Sequence, residues 1–323
     1  MRVLITGSAG FVGSHLADRY LADGHHVVAA DNLITGSLEN LKEARQNAAF
    51  RYVEADVTGD WAAIAAAVHE HMMGVDLILH FASPASPVDY ANHPFETMAV
   101  NSVGTEQCAR FALKHDARLL FASTSECYGD PREHPQREEY WGNVNPNGPR
   151  SCYDEAKRFG EALVFAFLRK RNLDARVIRI FNTYGPRMRR NDGRVVPNFV
   201  TQALAGKPLT IFGNGKQTRS FCYVDDLIEG IVRCAASDAT RGVVVNLGNP
   251  DEREIAEFAR VVCEITRMPL SIEYSPMPAD DPGRRCPDIT RAKALLGWSP
   301  QVSLEEGLRR TVEAFSTNAG RAL

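Results

Sequence analysis

Three glycines close behind the N-terminus constrain the fold of this chain more than any other feature. Gly7, Gly10 and Gly13 follow an apolar, β-branched segment, Val3–Thr6, and open a helix-like stretch. In such a loop the first glycine permits a tight turn, the second lets the backbone approach a phosphate, and the third lets helix and strand pack closely. The spacing G-x-x-G-x-x-G therefore predicts a strand, a phosphate-binding turn and a helix N-terminus facing a nucleotide. A plain glycine-rich turn is the alternative.

Acidic residues follow the next two predicted strands. Asp31 ends the second strand, where dinucleotide-binding folds place an acid that accepts hydrogen bonds from the adenosine ribose. A carboxylate there repels a 2′-phosphate, so the sequence favours NAD over NADP. Asp56 follows the third strand and is predicted to reach the adenine amino group. The predicted cofactor contacts of this half of the chain are Gly7, Gly10, Phe11, Val12, Gly13, Asp31, Asn32, Asp56 and Val57.

Short apolar segments alternate with helical ones along the first half of the chain. Some, such as Leu77–Phe81, are apolar at almost every residue, which is typical of parallel strands covered on both faces. The pattern predicts an α/β fold with a doubly wound parallel (Rossmann) sheet. The predicted strands are Val3–Thr6, His26–Ala30, Phe50–Val53, Leu77–Phe81, Leu119–Ser123 and Val177–Phe181. The predicted helices are Gly13–Ala22, Trp61–His69, Phe95–Lys114 and Asp154–Lys170.

The composition changes beyond the sixth strand. Residues 182–218 are rich in Gly, Pro, Asn and basic side chains. We predict that residues 1–181 form an NAD-binding domain, to which residues 219–248 return, and that residues 182–323 form a smaller C-terminal α/β lobe that binds the substrate. Within the second half the predicted elements are a helix near Pro197–Ala205, a helix at 222–236, the strand Val243–Leu247 and a helical tail with proline-rich loops after 250.

The overall composition excludes several classes of protein. With 37 Lys+Arg against 40 Asp+Glu, the net charge of −3 argues against nucleic-acid binding. No apolar run approaches the ~18 residues of a membrane span, and the N-terminus has no secretory pattern. The seven cysteines are scattered and never spaced C-x-x-C. This scattered arrangement of cysteines predicts reduced thiols, a cytoplasmic location and no metal site.

A tyrosine and a lysine lie one helical turn apart. Tyr153 and Lys157 are four residues apart and share a helix face. The lysine ammonium can lower the pKa of the phenol and make Tyr153 a usable base, and both residues are predicted to contact the cofactor. Thr124, Ser125 and Glu126 stand at the end of the fifth strand. These five residues are the predicted centre of the chemistry.

At these positions the chain resembles the extended short-chain dehydrogenases/reductases, in the branch that modifies sugar nucleotides. The glycine loop, Asp31, Asn101, Thr124, Tyr153 and Lys157 match in order. Residues 82–87, 179–187, 191–196 and 215–221 are similar to the decarboxylases of that branch, which act on UDP-glucuronate. Ser125 stands where the 4,6-dehydratases carry an acid, and Glu126 stands where the 4-epimerases usually lack a Glu.

The resemblance implies a redox-neutral decarboxylation of UDP-glucuronate to UDP-xylose through a 4-keto intermediate, with NAD as cofactor. It implies that Tyr153 is the base, that Thr124 binds the carbon-4 oxygen, and that Ser125 and Glu126 face carbon 5. Glu126 either positions the ring or takes part in proton delivery. Arg219 is expected to orient the carboxylate and to assist protonation at carbon 5. The residues expected to bind the UDP-sugar are Pro84, Asn182, Arg187, Arg194, Val195, Arg219, Tyr223 and Arg285.

The resemblance also implies a homodimer. Relatives dimerise through a four-helix bundle built from the helix of Tyr153 and the helix around Asn101. Phe159, Leu163 and Phe167 form an apolar stripe consistent with that interface, although the same stripe suits packing against the chain's own sheet. Three alternative functions stay open. They are a UDP-hexose 4-epimerase, an enzyme that releases the 4-keto pentose with NADH, and a catalytically silent NAD-binding regulatory protein.

Overall fold

Seven parallel strands form the centre of the molecule in the computed structural model, which describes residues 1–319. The strands of the described chain are β1 (Arg2–Thr6), β2 (His26–Asp31), β3 (Phe50–Glu54), β4 (Leu77–His80), β5 (Arg118–Thr124), β6 (Ala175–Ile180), β7 (Thr183–Tyr184), β8 (Leu209–Phe212), β9 (Thr218–Ser220), β10 (Cys222–Tyr223), β11 (Val244–Leu247), β12 (Glu252–Glu254), β13 (Ile272–Ser275) and β14 (Arg284–Arg285). The central sheet has the order β11-β6-β5-β4-β1-β2-β3.

Helices cover both faces of this sheet, so the predicted doubly wound α/β fold is confirmed. The helices are α1 (Phe11–Ala22), α2 (Ala62–Met72), α3 (Pro87–Asn92), α4 (Pro94–Ala99), α5 (Thr105–His115), α6 (Ser151–Arg171), α7 (Val195–Leu204), α8 (Val224–Ala236), α9 (Ile255–Thr266), α10 (Thr290–Leu296) and α11 (Leu304–Ala319). Successive side chains of β1 enter opposite layers of the core. Val3 and Ile5 belong to one apolar cluster and Leu4 to the other.

The strand order reverses beside β1, which pairs with β2 on one side and with β4 on the other. In open α/β sheets a crevice forms at such a point, outside the carboxyl ends of the strands. The topology therefore directs the ends of β1, β2, β4 and β5 toward one site.

The chain returns to the central sheet after a long excursion. Strand β11 pairs with β6, with Val244 opposite Val177, and α8 packs against α1. The division of functions between residues 1–181 and residues 182–323 stays a prediction, and the last four residues of the second range lie outside the described part of the chain.

Outside the central sheet, short strands form a three-stranded sheet, β12-β9-β14, and two strand pairs, β13-β8 and β10-β7. The expectation of a tail after residue 250 built of helices and loops is therefore incomplete. The three strands found there have two to four residues each and pair with distant segments, which apolar periodicity does not reveal. Similarly, the predicted helix 222–236 begins at Val224, because residues 222 and 223 form β10.

The predicted helix Phe95–Lys114 is interrupted by a π-helical turn, Val100–Gly104. Such insertions are frequent at functional sites because they turn one side chain away from the regular helical position. Asn101 lies in this turn, and its Nδ2 donates to Ser83 Oγ at 2.9 Å and to the Thr97 carbonyl at 2.8 Å. Its Oδ1 is buried and accepts no hydrogen bond from the described residues.

All seven cysteines have free thiols. Among residues 1–319, no helix combines the length and the apolar character needed to cross a bilayer.

Candidate active site

A cavity of about 1080 Å³ opens at the carboxyl ends of the central strands. Its volume exceeds the ~300–1000 Å³ of an ordinary small-molecule pocket, so the cavity has room for more than one ligand. All of the predicted site residues except Tyr223 line it. The cavity thus brings together residues that are distant in sequence. Gly7 and Arg285, for example, are 278 positions apart and both line it.

The glycine turn fits a dinucleotide. Gly7 has φ +72°, in the left-handed region, and a Cβ at Gly13 would lie 2.1 Å from the Gly7 carbonyl oxygen. Gly10 is the N-cap of α1, where no side chain accepts from the helix amides. The first turn of α1 therefore presents backbone N–H groups and a positive dipole end to the cavity, which suits a pyrophosphate.

Asp31 is held rigidly at the end of β2. Its Oδ2 accepts from Ala9 N at 2.9 Å and its Oδ1 accepts from Leu33 N at 2.8 Å. Burial raises the pKa of this carboxyl, and the two backbone N–H groups offset only part of the effect. Each oxygen keeps a lone pair for a further donor, such as a ribose hydroxyl. Asn32 Nδ2 contacts Asp56 at 3.3 Å, so the two predicted adenosine-side residues lie together.

Tyr153 and Lys157 lie buried on α6. Lys157 Nζ donates to the Ala122 carbonyl at 2.8 Å and lies 5.8 Å from the centroid of the Tyr153 ring. Burial lowers the pKa of Lys157 to about 7. Burial also raises the pKa of Tyr153 above its usual value, while a hydrogen bond with Thr124 opposes that effect. The pKa of the phenol is therefore raised in this structure, opposite to the lowering that the Tyr–Lys spacing predicts.

Glu126 lies between two guanidinium groups. Arg150 Nη2 donates to its Oε2 at 2.6 Å, and Arg285 Nη1 donates to its Oε1. Burial alone would raise the pKa of Glu126, but the charges of Arg285 and Arg150 lower it to about 2. Because this carboxylate stays ionised at neutral pH, it is a poor proton donor. The geometry favours the positioning role over proton delivery.

Two of the predicted arginines are neighbours across a strand pair. Arg219 on β9 stands opposite Arg285 on β14, and Arg219 Nη2 donates to Asp281 Oδ2 at 2.8 Å. Together with Arg150, three guanidiniums meet two carboxylates, Glu126 and Asp281, and all five side chains line the cavity. This group, which we call the arginine cluster, leaves one excess positive charge for an anionic ligand.

The remaining predicted substrate residues line the same cavity. Arg187 pairs with Asp18 at 2.6 Å, and its buried Nη1 has no partner among the described residues. Arg194 Nη2 donates to Asp192 at 2.7 Å. Pro84, Asn182 and Val195 also line the cavity, in the loop after β4, after β6 and at the start of α7.

The structure does not place Tyr223 at the cavity, which corrects its assignment as a substrate contact. Its ring is buried 5.6 Å from the ring of Tyr184, and the Arg310 guanidinium lies over it at 5.6 Å. Packing between β10 and α11 explains the position of this aromatic residue.

Sequence reasoning missed Arg150, Asp281 and Tyr90 as site residues. The Tyr90 ring stacks on Tyr153 with centroids 5.1 Å apart and planes 8° apart. Arg150 and Asp281 stand in loops with no local periodicity, and each gains its partners only through the tertiary fold. No local signal identifies them.

The glycine turn, the acid after β2 and the buried Tyr–Lys pair define an NAD-dependent enzyme that acts on a hydroxyl-bearing carbon. The model of the NAD dependent epimerase/dehydratase family matches residues 3–248, and the chain belongs to this family. The predicted cofactor, NAD, is thereby confirmed.

Relatives extend the similarity to nearly the whole chain. UDP-glucuronic acid decarboxylase 1 of Danio rerio is 48% identical over 315 residues, which cover 98% of this chain and 72% of the relative. UDP-glucuronic acid decarboxylase 2 of Arabidopsis thaliana is 50% identical over 315 residues, which cover 98% of this chain and 68% of the relative. The resemblance seen in the sequence motifs is confirmed.

Solved structures share the fold. UDP-glucose 4-epimerase of Thermotoga maritima, solved with UDP-glucose, gives a TM-score of 0.89 at 30% identity and covers 99% of this chain and 100% of its own. UDP-glucuronic acid 4-epimerase of Bacillus cereus, solved with UDP-glucuronic acid and NAD, gives a TM-score of 0.88 at 27% identity and covers 98% of this chain and 100% of its own.

Proposed function

We propose that this chain catalyses the NAD-dependent, redox-neutral decarboxylation of UDP-glucuronate to UDP-xylose. The observation that carries the proposal is the arginine cluster around Glu126, which lines the same cavity as Tyr153 and Thr124. The cluster offers guanidinium groups to the carboxylate of the substrate, and Tyr153 offers a base to the hydroxyl group of the substrate. Relatives at 48% and 50% identity carry the decarboxylase name.

When bound, NAD would supply a reversible hydride acceptor for carbon 4 of the sugar. The glycine turn would hold its pyrophosphate, and Asp31 would accept from its adenosine ribose. The carbon-4 ketone formed in this way stands β to the carboxylate on carbon 5. Carbon dioxide then leaves, the bonding electrons delocalise into the ketone as an enolate, and carbon 5 takes up a proton.

Tyr153 takes the proton of the carbon-4 hydroxyl. Two neighbours stabilise its phenolate: Thr124 through a hydrogen bond and Lys157 through the positive charge that it carries when protonated. Burial brings the pKa of Lys157 to about 7, so the positive charge of its ammonium group is lost as the pH rises through neutrality. The base therefore depends on a lysine whose protonation responds to pH.

The arginine cluster receives the sugar carboxylate. Glu126 holds Arg150 and Arg285 in place, and Asp281 holds Arg219. These internal partners neutralise much of the charge, so the substrate carboxylate meets a weak excess of positive charge. Weak ground-state binding favours decarboxylation, because tight binding of the carboxylate would raise the barrier to its loss. Ser125 stands where the dehydratases carry an acid, so a dehydration lacks its usual proton donor.

The UDP group binds among Arg187, Arg194 and Asn182, which line the cavity. The free Nη1 of Arg187 and the guanidinium of Arg194 are the cationic groups there, and Asn182 offers an amide after β6. A diphosphate satisfies the unpaired donor of Arg187, which otherwise stays buried without an acceptor.

The reaction product tests the proposal directly. Purified protein is incubated with UDP-glucuronate and catalytic NAD, and the nucleotide sugars are identified by ¹H NMR. UDP-xylose with no net NADH is the expected result. UDP-galacturonate would establish a 4-epimerase instead, accumulating 4-keto pentose with NADH would establish an oxidative decarboxylase, and no turnover would favour a silent NAD-binding protein. The Tyr153→Phe variant is the control. It is expected to lose about 10²–10⁴-fold in turnover while still binding NAD.

We further propose a homodimer formed through α6 and the helices α4 and α5. Phe159 on α6 is 54% exposed and Phe95 on α4 is 76% exposed, and Met98 and Val103 are exposed beside them. The apolar stripe therefore does not close entirely onto the chain's own sheet, and pairing with a second copy would cover it. Light scattering is expected to give a dimer for the wild type and a monomer for Phe159→Asp. Tyr274→Asp alters an exposed aromatic residue on β13, outside these helices and 60% exposed, and is expected to stay dimeric.

A further inference from the structure

Three potential metal ligands meet at the edge of the three-stranded sheet β12-β9-β14. His134, Glu252 and Cys286 each offer one donor atom, and these atoms lie within 4.8 Å of one another. The imidazole Nε2 of His134 lies 3.0 Å from Glu252 Oε2. We propose that these residues form a binding site for a divalent cation of the zinc type.

The donor set matches the chemistry of such a cation. Zinc is bound by thiolate, imidazole and carboxylate groups at ~2.0–2.3 Å, in sites of three or four protein ligands. Cys286 is buried, Glu252 is half-buried and His134 is partly exposed, so a cation can enter from the side of the imidazole. A fourth ligand of such a site could be a water molecule, as in zinc sites with three protein ligands.

The three ligands stand on segments that are already fastened to one another. Gln136 N donates to the Cys286 carbonyl at 2.9 Å, and Cys286 N donates back to Gln136 Oε1 at 2.9 Å. Glu252 on β12 pairs with Ser220 on β9, and β9 pairs with β14, which ends next to Cys286. Binding therefore needs shifts of side chains only, which keeps its entropic cost low.

Neighbouring groups are compatible with a bound cation. Thr218 Oγ1 donates to Glu252 Oε1 and orients the carboxylate, as outer partners of metal ligands do. The Cys286 thiol donates to the Pro250 carbonyl at 3.4 Å, a weak contact that metal binding replaces. Arg284 is a nearby cation, with its Nη2 3.9 Å from Glu252 Oε2. Its side chain is exposed and can turn into solvent when a metal binds.

Cobalt(II) is a direct probe, because thiolate ligation gives it a near-ultraviolet charge-transfer band. The full-length protein is treated with EDTA, freed of the chelator and titrated with Co²⁺, after which Zn²⁺ is added. We expect the band to appear, to saturate at one Co²⁺ per chain and to be displaced by Zn²⁺. We also expect Zn²⁺ to raise the melting temperature.

Variants decide whether these three residues are responsible. Cys286→Ser is expected to abolish the band, and His134→Gln to weaken Co²⁺ binding at least ~10-fold. Cys152→Ser alters another thiol, on α6, and is expected to bind as the wild type does. Absence of the band in the wild type, or its persistence in Cys286→Ser, would overturn the proposal. Circular dichroism of each variant verifies that it is folded, so that a lost band reports on ligation.

Discussion

The Arg285 guanidinium donates to the Glu126 carboxylate across 159 residues of sequence, and Arg150 donates to the other oxygen of the same carboxylate at 2.6 Å. Burial would raise the pKa of Glu126, yet the two guanidiniums lower it to about 2. The carboxylate is therefore a fixed negative charge that holds two guanidiniums at the cavity.

Removing this charge is expected to impair both folding and turnover. Glu126→Gln leaves Arg285 without its carboxylate partner and Arg150 with Asp281 alone, which costs about 3 kcal/mol of unfolding free energy and lowers turnover at least ~100-fold. Urea unfolding and steady-state kinetics measure the two effects. Glu229→Gln, which breaks the more exposed pair with Arg19, is the matched control and is expected to cost under ~1 kcal/mol. Equal effects of the two substitutions would contradict the special role of Glu126.

Asp31 is expected to set the choice of cofactor. Its two oxygens are held by backbone N–H groups and face the cavity. Asp31→Asn removes the negative charge of the group that accepts hydrogen bonds from the ribose, so NAD affinity is expected to fall about 10- to 100-fold. The preference for NAD over NADP is expected to shrink, because the 2′-phosphate of NADP is no longer repelled. Fluorescence titration with both cofactors measures the ratio. Glu54→Gln, at the exposed end of the neighbouring strand, should leave the ratio unchanged. An unchanged ratio in Asp31→Asn would remove Asp31 from this role.

The buried Lys157 is expected to make stability depend on pH. Burial lowers its pKa to about 7, below its usual 10.5. Its contribution to stability is therefore present above pH ~10.5 and is lost as the pH falls toward 7, by at most about 1.4 kcal/mol per pH unit. Lys157→Met is expected to gain stability over the wild type at pH 7 and less at pH 9.5, and to lose turnover at both. Urea unfolding at the two values tests this, with the exposed Lys114→Met as control.

Asp154 is expected to show the opposite dependence. Burial and the neighbouring charge of Glu126 raise its pKa to about 7, although Arg150 and Arg285 oppose them. Its contribution is complete below pH ~4 and is lost as the pH rises through 7. Urea unfolding should therefore show Asp154→Asn to be nearly neutral at pH 4 and stabilising relative to the wild type at pH 8. The same change in stability at both values would show that Asp154 does not titrate in this range.

Much of the fold follows from the sequence, because the six predicted strands of the first half are short, apolar and bounded by turns. The structure places each within two residues of its predicted bounds. The π turn at Asn101 and the strands β12 and β14 could not be predicted, since they depend on tertiary contacts and carry no periodic signal. The same applies to Arg150, which finds Glu126 only when the loop before α6 folds over β5.

Sequence motifs at the ends of strands and helices were the best predictors of the residues that line the cavity. Gly7, Asp31, Thr124 and Tyr153 occupy such positions and all line the cavity. Tyr223 is the one predicted substrate residue that does not line the cavity, because its ring packs against Tyr184 in the core. Cysteine spacing gives no signal for the proposed cation site, because His134, Glu252 and Cys286 are distant in sequence and meet only in the folded chain.

Conversion of UDP-glucuronate in D₂O tests the central claim most directly. The cycle takes one proton from solvent at carbon 5 and returns to carbon 4 the hydrogen that it removed. The account therefore predicts UDP-xylose with one deuterium at carbon 5, protium at carbon 4 and one carbon dioxide released per product. UDP-galacturonate that retains its carboxylate, or UDP-xylose with deuterium at carbon 4, would contradict it.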